Sequence, residues 1–282
     1  MIKLGLIGYP LGHSLSPEIH QAALKACSLQ GDYSLFPIAP DDFDGLQALL
    51  SRVRDGEITG LNVTIPHKQN VIPLLDELTP TAKAIGAVNT ILMQNGKLIG
   101  DNTDAPGFLS DLNRFLEMRQ SSIINRQSSI VLGAGGAARA VVYALVSDGW
   151  NVTITDIRPK QTKALVAQFL FPESKLASIE YDPAALHSLP PGLTLIVNAT
   201  PVGMSPHVES SPWPESLPFP EHAAVYDLVY NPRQTKLVAD ARVAGLPATT
   251  GLGMLVEQAA LAFEIWTGCD IPREPLFSAV EA

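Results

Sequence analysis

The sequence has very little cysteine. Its two cysteines, Cys27 and Cys269, lie near opposite ends of the 282-residue chain and do not have the spacing of metal ligands. A disulfide framework or a zinc site is therefore not expected. The six histidines form no HExxH pair, so a protease-type zinc site is not expected either. We predict no metal site.

The sequence also lacks a run of basic residues and a long apolar run. Its net charge is -9, whereas nucleic acids and anionic membranes attract a concentrated positive field. The longest apolar stretch, residues 140–146, is far shorter than the roughly 20 residues that span a bilayer. The first ten residues resemble a strand rather than a signal peptide, because no small-residue cleavage site follows. We predict a cytoplasmic protein without nucleic-acid or membrane partners.

What is present is the composition of an ordinary folded protein. Hydrophobic residues make up 46% of the chain and charged residues 17%, which argues against disorder. A chain of this length favours two domains or one large α/β unit.

The first part of the chain alternates strand and helix patterns. Apolar residues recur with the period of a strand or of a helix in turn, and Asn95-Gly96 is typical of a tight hairpin turn. These patterns predict one domain with a mixed sheet. The predicted elements are strands at 2–8, 33–40 and 58–66, helices at 17–30, 41–56 and 68–78, and a hairpin over 89–104.

A second α/β domain is predicted after a polar connector at 119–129, which a helix at 107–118 precedes. Residues 129–157 have the order strand, Gly-rich turn, helix, strand. Two further buried strands lie within 193–204 and 223–232, and the Pro-rich segment 205–222 between them is predicted to be a loop. A final helix is predicted at 252–268.

The turn GAGGAAR matches the dinucleotide-binding pattern G-x-G-x-x-G/A through Gly133, Gly135 and Ala138. The pattern alone is weak, but here a strand precedes it, a helix follows it, and Asp156 ends the next strand. Glycines let the backbone approach a pyrophosphate, and the helix N-terminus offers unpaired N–H groups. The alternative, a turn used only for tight packing, explains less of this arrangement.

Asp156 bears on the choice of cofactor. A carboxylate here can accept hydrogen bonds from the ribose hydroxyls of NAD, whereas the 2′-phosphate of NADP brings negative charge against it. At about 5 Å and an effective dielectric near 20, that repulsion is roughly 3 kcal/mol. Asp156 alone favours NAD. Arg158 and Lys160 follow it and could offset the repulsion, so use of both cofactors stays open.

Several polar residues stand where a ligand could bind. Asn62 and Thr64 share one face of their strand, opposite Leu61, Val63 and Ile65. Three further polar residues are Lys68, Asn89 and Asp104. Taken singly, each has an ordinary explanation: Lys68 as a solvated surface charge, and Asn89 and Asp104 as parts of Asx turns.

Gln258 lies inside the apolar stripe of the last predicted helix, with Glu257 and Glu264 on the far face. A buried amide without partners costs about 1 to 3 kcal/mol. Gln258 is therefore expected either to bond local backbone or to meet a ligand.

Ser14 and Ser16 follow the first strand. Ser16 before Pro17 fits a helix N-cap with proline at the first helical position, which does not account for Ser14. Both hydroxyls lie next to a helix N-terminus that favours an anion.

Eight motifs resemble the shikimate dehydrogenase family in their order along nearly the whole chain. They are SLSP, NVTIPHK, GAVNT, DNTD, GAGGAAR, NATPVGM, YDLVY and GLGMLVEQAA. The resemblance implies an α/β protein with an N-terminal mixed-sheet substrate domain and a C-terminal Rossmann-type dinucleotide-binding domain, with the active site in the cleft between them. The implied substrate domain is 1–106, to which 252–282 return, and the implied Rossmann domain is 107–251.

The resemblance also implies roles for single residues. Lys68 would be the acid/base in the reversible reduction of 3-dehydroshikimate to shikimate, a step of aromatic amino acid (chorismate) biosynthesis, and Asp104 would orient it. Ser14, Ser16 and Tyr230 would hold the substrate carboxylate, and five residues would bind the ring or its hydroxyls: Asn62, Thr64, Asn89, Asp104 and Gln258. The cofactor, NADP or NAD, would contact Gly133, Ala134, Gly135, Gly136, Ala137, Asp156, Arg158, Gly203, Met204, Leu228 and Gly251.

The chain departs from the family where NADP-using members carry Asn-Arg-Thr and this sequence has Asp156, Ile157 and Arg158. An NAD-using enzyme that also accepts quinate therefore remains an alternative. Ser16, rather than a threonine, favours shikimate over quinate only weakly. A non-catalytic dinucleotide-sensing module is a third hypothesis, against which the presence of both Lys68 and Asp104 argues. The oligomeric state is expected to be monomer or homodimer.

Overall fold

The computed structural model describes residues 1–118, 128–169, 171–172, 175–187, 189 and 192–281. Most of the predicted connector at 119–129 lies outside the described residues. Its last two residues, Ser128 and Ser129, belong to a strand. The chain divides into two compact units, Met1–Gly107 with Leu255–Ala282, and Phe108–Met254.

The first unit contains the predicted mixed sheet. Its six strands lie in the order β2 (Gly31–Pro37), β1 (Ile2–Gly8), β3 (Gly60–Val63), β5 (Thr90–Gln94), β6 (Lys97–Asp101) and β4 (Glu77–Leu78). β1 runs parallel to β2 and β3, and β5 runs antiparallel to β3 and β6. Apolar residues of β3 and α2, among them Leu61, Val63 and Leu49, form its core. The elements up to β6 are β1 (Ile2–Gly8), α1 (Ser16–Ala26), β2 (Gly31–Pro37), α2 (Phe43–Arg54), β3 (Gly60–Val63), a 3-10 helix (Ile72–Leu74), β4 (Glu77–Leu78), α3 (Pro80–Ile85), β5 (Thr90–Gln94) and β6 (Lys97–Asp101).

The predicted hairpin is confirmed. β5 and β6 pair antiparallel, with Gln94 opposite Lys97. Asn95 and Gly96 between them have φ angles of 52° and 76°, the left-handed values that a two-residue turn requires.

The helix predicted at 68–78 is wrong. This segment forms only the 3-10 helix and strand β4, because Pro73 lacks the N–H that an α-helix interior needs. The strand predicted at 58–66 is shorter than expected, since β3 ends at Val63. Ile65 therefore does not share the buried face of Leu61 and Val63, and it is 57% exposed.

Cys27 and Cys269 form a disulfide, so the expectation of no disulfide is wrong. Cys27 follows α1, and Cys269 lies two residues after α9 (Leu252–Thr267). A sequence separation of 242 residues gave no sign of the pairing, because it depends on the return of the C-terminal segment to the first unit. There α10 (Glu274–Glu281) packs against α1.

In α9 the predicted buried position of Gln258 is confirmed. Glu257, placed on the far face by the helical pattern, is buried as well. Arg273, just before α10, accounts for this, because its guanidinium donates to Glu257 (3.1 Å) and to Glu264. Two buried or half-buried carboxylates thus share one cation.

In the described part of the second unit, six strands form one sheet in the order β12 (Ala248–Thr250), β11 (Ala224–Asp227), β10 (Leu193–Asn198), β7 (Ser128–Leu132), β8 (Asn151–Thr155) and β9 (Leu176–Ser178). Each pair of neighbouring strands is parallel. The strand order reverses between β7 and β10, which is the arrangement of a Rossmann fold with its ligand crevice at the reversal. The remaining elements are α4 (Asp104–Glu117), β7 (Ser128–Leu132), α5 (Gly136–Ser147), β8 (Asn151–Thr155), α6 (Pro159–Gln168), β9 (Leu176–Ser178), α7 (Pro183–His187), β10 (Leu193–Asn198), β11 (Ala224–Asp227), α8 (Lys236–Val243) and β12 (Ala248–Thr250).

Candidate active site

Lys68 and Asp104 form a buried ion pair in the first unit. The Lys68 Nζ donates to Asp104 Oδ2 over 2.6 Å, and the two side chains are 12% and 5% exposed. Lys68 lies in the loop after β3, where its carbonyl accepts from the Val88 N–H at 2.8 Å. Asp104 is the first residue of α4 rather than part of a simple turn. A lysine this enclosed is not a solvated surface charge.

Asn89 joins this pair to α9. Its Nδ2 donates to Asp104 Oδ1 at 2.9 Å and to Gln258 Oε1 at 3.2 Å. Its Oδ1 accepts from the Thr103 N–H at 2.8 Å. Gln258 Nε2 donates to the Leu255 carbonyl at 2.8 Å, so both of its amide atoms have partners within the protein. The four residues Lys68, Asp104, Asn89 and Gln258 are one hydrogen-bonded network.

Asn62 lies on β3 beside this network. Its Oδ1 accepts from the Tyr33 hydroxyl at 2.8 Å and lies 3.1 Å from His20 Nε2. Its Nδ2 donates to the Asn89 carbonyl at 3.2 Å. Thr64, just past the strand, is half-buried, and its N–H donates to the Ile7 carbonyl.

The sequence reasoning missed His20 and Tyr33. His20 is fully buried in α1, and its ring stacks on Tyr33 with centroids 4.2 Å apart. His20 belongs to the buried residues of α1 together with Ile19, Ala23 and Leu24. A polar residue within an apolar helical pattern could have indicated His20, as it indicated Gln258.

Ser14 and Ser16 lie at the start of α1, but their local roles differ from the prediction. The helix begins at Ser16, and its N-cap Leu15 makes no side-chain capping bond. The hydroxyl that contacts a first-turn N–H is that of Ser14, which accepts from the Ser16 N–H at 3.3 Å. Ser16 as the N-cap is therefore wrong, because the helix starts one residue earlier than Pro17 suggested. Ser16 is itself buried.

In the second unit the Gly-rich turn joins β7 to α5. Gly133 has φ of +112°, and a side chain there would lie 3.0 Å from the Ala199 backbone, so only glycine fits. Gly135 is the N-cap of α5, no side chain caps the helix, and a Cβ at Gly135 would meet nothing within 4 Å. The N-terminus of α5 therefore lacks a side-chain cap and has room beside Gly135, and an uncapped helix N-terminus is where a pyrophosphate can bind.

Asp156 follows β8 and is enclosed by donors. Its carboxylate accepts from the Ala134 N–H (2.9 Å), the Arg158 N–H (2.8 Å) and the Arg158 guanidinium (2.9 and 3.1 Å). Burial raises the pKa of Asp156, but these hydrogen bonds and the Arg158 charge outweigh it and lower the pKa overall. Asp156 is therefore ionised, and Arg158 neutralises it while remaining 57% exposed itself.

Four more residues of the predicted cofactor site follow the last strands of this sheet. Met204 is 45% exposed, and Gly203 before it has φ of +90°. Gly251 follows β12, and a side chain there would lie 2.2 Å from the Leu228 carbonyl. Tyr230, expected on the substrate side, is half-buried three residues past β11.

A buried cluster of Asp227, Asn198 and Thr235 lies at the ends of β10 and β11, and the sequence did not reveal it. Asp227, the last residue of β11, accepts from Asn198 Nδ2 (2.8 Å), Thr235 Oγ1 (2.6 Å) and the Val229 N–H (3.0 Å). Burial raises its pKa to about 6, although these three bonds oppose the shift.

Two family models match the chain, the shikimate dehydrogenase substrate binding domain over residues 6–91 and the shikimate 5′-dehydrogenase C-terminal domain over 251–276. A shikimate dehydrogenase (NADP(+)) of Salinibacter ruber is 42% identical over 98% of this chain and 96% of its own length. This chain belongs to the shikimate dehydrogenase family. The family predicted from the eight motifs is confirmed.

Other shikimate dehydrogenases agree with this. The one from Methanopyrus kandleri, also named as using NADP(+), is 40% identical over 98% of this chain and 94% of its own length. The crystal structure of the Thermus thermophilus enzyme with NADP(H) and shikimate has 37% identity and a TM-score of 0.84, covering 100% of this chain and 99% of that one. The predicted fold class, a mixed-sheet substrate domain and a Rossmann-type domain, is confirmed.

The described residues contain neither a membrane-spanning helix nor a cluster of metal-binding side chains. No helix in that part of the chain has the length and apolarity to cross a bilayer. No group of three or more metal-binding side chains occurs there either.

Proposed function

We propose that this protein catalyses the reversible NADP(H)-dependent reduction of 3-dehydroshikimate to shikimate, in aromatic amino acid biosynthesis. Membership of the shikimate dehydrogenase family supports the reaction class, an oxidoreductase acting on a CH–OH group. The observation that carries the proposal is the buried Lys68–Asp104 pair, held by Asn89.

The chemistry follows from these groups. A bound nicotinamide supplies the hydride for the C3 carbonyl carbon. Lys68 Nζ donates a proton to the carbonyl oxygen as that oxygen gains negative charge, and accepts it in the reverse direction. Asp104 accepts from the Lys68 Nζ and so directs it. Asn89 fixes Asp104 by donating to the carboxylate oxygen that Lys68 leaves free.

The substrate residues are proposed on the family pattern and on their placement. Ser14 and Ser16 at the N-terminus of α1 would hold the carboxylate, because unpaired N–H groups and the helix dipole favour an anion there, and Tyr230 would assist. Asn62 and Thr64 would bind the ring hydroxyls from the end of β3. Asn89 and Gln258 would do so too. Asn89 also donates to Asp104, and Gln258 accepts from Asn89.

We propose that the cofactor binds on the second unit, at the turn of Gly133, Ala134, Gly135, Gly136 and Ala137. The uncapped N-terminus of α5 and the room beside Gly135 support this. Asp156 and Arg158 would flank the adenosine ribose, and Gly203, Met204, Leu228 and Gly251 the nicotinamide. The domains would then be 1–106 with 252–282 for the substrate and 107–251 for the dinucleotide.

For the choice between cofactors we propose NADP(H) as the preferred one, with NAD(H) still accepted. The relatives named above use NADP(+). The Asp156 charge that opposes a 2′-phosphate is already paired with Arg158, whose exposed guanidinium can contact that phosphate. The cytoplasmic location and the monomeric or dimeric state stay predictions.

An NAD-linked quinate/shikimate dehydrogenase is the second candidate, because the Asp156 carboxylate taken alone can accept hydrogen bonds from the ribose hydroxyls of NAD. Initial rates with shikimate or quinate, each with NADP⁺ or NAD⁺, separate the two. We expect shikimate with NADP⁺ to give the highest kcat/KM. A kcat/KM for quinate equal to or above that for shikimate would replace the first candidate by the second.

A further inference from the structure

The side-chain amide of Asn62 is fixed in one orientation. Tyr33 donates its hydroxyl to Asn62 Oδ1 at 2.8 Å, and His20 Nε2 lies 3.1 Å from the same oxygen. Asn62 Nδ2 donates to the Asn89 carbonyl at 3.2 Å. A flipped amide would set its oxygen against that carbonyl, with no hydrogen between the two acceptors. The Asn89 carbonyl therefore selects the orientation, and Tyr33 and His20 reinforce it.

His20 takes part as a neutral donor. Oδ1 of an amide only accepts, so Nε2 carries the hydrogen and Nδ1 is bare. Within the described residues the buried Nδ1 has no hydrogen-bond partner. Burial lowers the pKa of His20 to about 3, although the Asn62 bond opposes this. His20 therefore stays neutral near pH 7 and transfers no proton there.

The surrounding packing keeps the His20 ring in place. It stacks on Tyr33 with an interplanar angle of 6°, and the rings of Phe263 and Trp266 on α9 lie 6.2 and 5.6 Å from it. A wholly apolar side chain would fill this aromatic site without leaving a bare nitrogen buried. The use of two polar residues, both directed at one amide oxygen, needs a reason beyond packing.

We infer that His20 and Tyr33 are positioning residues for substrate binding, which hold the Asn62 amide so that its second N–H is available to a hydroxyl oxygen of the substrate. One Asn62 N–H is used by Asn89. No acceptor for the other is found among the described residues. A ring hydroxyl supplies such an acceptor. This inference rests on the proposed function, in which Asn62 contacts the substrate.

The first test compares variants that remove or keep the two donors. Tyr33→Phe keeps the stacked ring and loses the hydroxyl. His20→Leu loses the Nε2 donor, whereas His20→Gln places an amide N–H near the same point. We expect Tyr33→Phe and His20→Leu each to raise the KM for shikimate roughly three- to tenfold. The kcat and the KM for NADP⁺ should change less than about twofold by the same reasoning, and His20→Gln should restore most of the shikimate KM.

A matched control is Tyr181→Phe, which removes a tyrosine hydroxyl that donates to the Pro212 carbonyl at 2.8 Å in the second unit. It should leave the shikimate KM unchanged even if it lowers the melting temperature. A role of His20 and Tyr33 in stability alone would instead lower the melting temperature of their variants without a selective rise in that KM, and would overturn the inference.

A double-mutant cycle tests the route through Asn62 without a variant of the buried His20. In an Asn62→Ala background, Tyr33→Phe should produce no further rise in the shikimate KM. Additive effects would overturn the inference. If the wild-type protein does not oxidise shikimate at all, the proposed function fails. If Asn62→Ala raises the KM but Tyr33→Phe and His20→Leu do not, only the inference fails.

Discussion

The Lys68 ammonium donates to the Asp104 carboxylate over 2.6 Å, with both side chains almost entirely buried. Burial of two charges is costly, and a pair of this kind adds little stability compared with apolar residues of similar size. The presence of the pair is therefore better explained by chemistry than by folding. Asn89 supports the same explanation. It donates to the second carboxylate oxygen of Asp104, and so fixes the orientation of the carboxylate that holds Lys68.

Replacing Asp104 by asparagine tests the pair. The amide keeps the size and one acceptor oxygen but removes the negative charge beside Lys68. We expect kcat for shikimate oxidation to fall roughly ten- to a hundredfold, with a smaller change in the KM for NADP⁺. Asp101→Asn is the control, since Asp101 accepts from Thr79 and Asn102 and should leave kcat unchanged. Equal effects of the two variants would argue against a specific role of Asp104.

Asp156 and Arg158 should have opposite effects on cofactor choice. Asp156→Ser removes the charge that opposes a 2′-phosphate and leaves Arg158 free to contact it, so the ratio of kcat/KM with NADP⁺ to that with NAD⁺ should rise. Arg158→Ala leaves Asp156 unpaired, and the ratio should fall. A charge contact of roughly 3 kcal/mol at about 5 Å sets the upper limit near a hundredfold.

The control for this pair is Lys163→Ala, an exposed position on α6, which should not alter the ratio. Unchanged ratios, or ratios that move in the same direction in Asp156→Ser and Arg158→Ala, would contradict the opposite roles of Asp156 and Arg158.

Asp227 should make the stability of the second unit depend on pH. Its folded pKa of about 6 lies above the ordinary value of 3.8, so the folded protein binds the proton more tightly than the unfolded one. Its stabilising contribution is complete below 3.8 and is lost as the pH rises through about 6. The loss is about 3 kcal/mol.

Denaturant unfolding of the wild-type protein and of Asp227→Asn across this pH range measures the effect. The variant should gain about 3 kcal/mol of unfolding free energy relative to the wild-type protein as the pH rises, since asparagine does not ionise. Other titrating groups, including His20, contribute equally to the unfolding free energies of both proteins, so their contributions cancel in the difference. A difference that is constant with pH would contradict the raised pKa.

The sequence predicted most of the elements that carry local signals. The Asn95-Gly96 turn, the Gly133–Gly135 turn before α5, and the apolar faces of α2 and α9 follow from residue type and period. The same local rules went wrong at 68–78, where one proline outweighed the helical pattern. They also went wrong at Ser16, where the helix started a residue early.

What the sequence could not provide were pairings between distant segments. Cys27 meets Cys269, and Tyr33 meets Asn62, only after the sheet order and the return of the C-terminal helices are known. Gln258 illustrates the limit. Its buried amide was predicted from its position in the helix, but its bond to Asn89 joins residues that no spacing rule connects.

The measurement that tests the account most directly is the turnover of Lys68→Ala with shikimate and NADP⁺, beside Lys83→Ala, an exposed lysine of α3, as the control. We expect Lys68→Ala to lose roughly a hundredfold or more in kcat while it binds NADP⁺ as the wild-type protein does, and Lys83→Ala to keep full activity. Full turnover in Lys68→Ala would contradict the assignment of Lys68 as the acid/base. If the wild-type protein binds NADP⁺ without shikimate and shows no turnover, the result would instead favour a non-catalytic dinucleotide-sensing module.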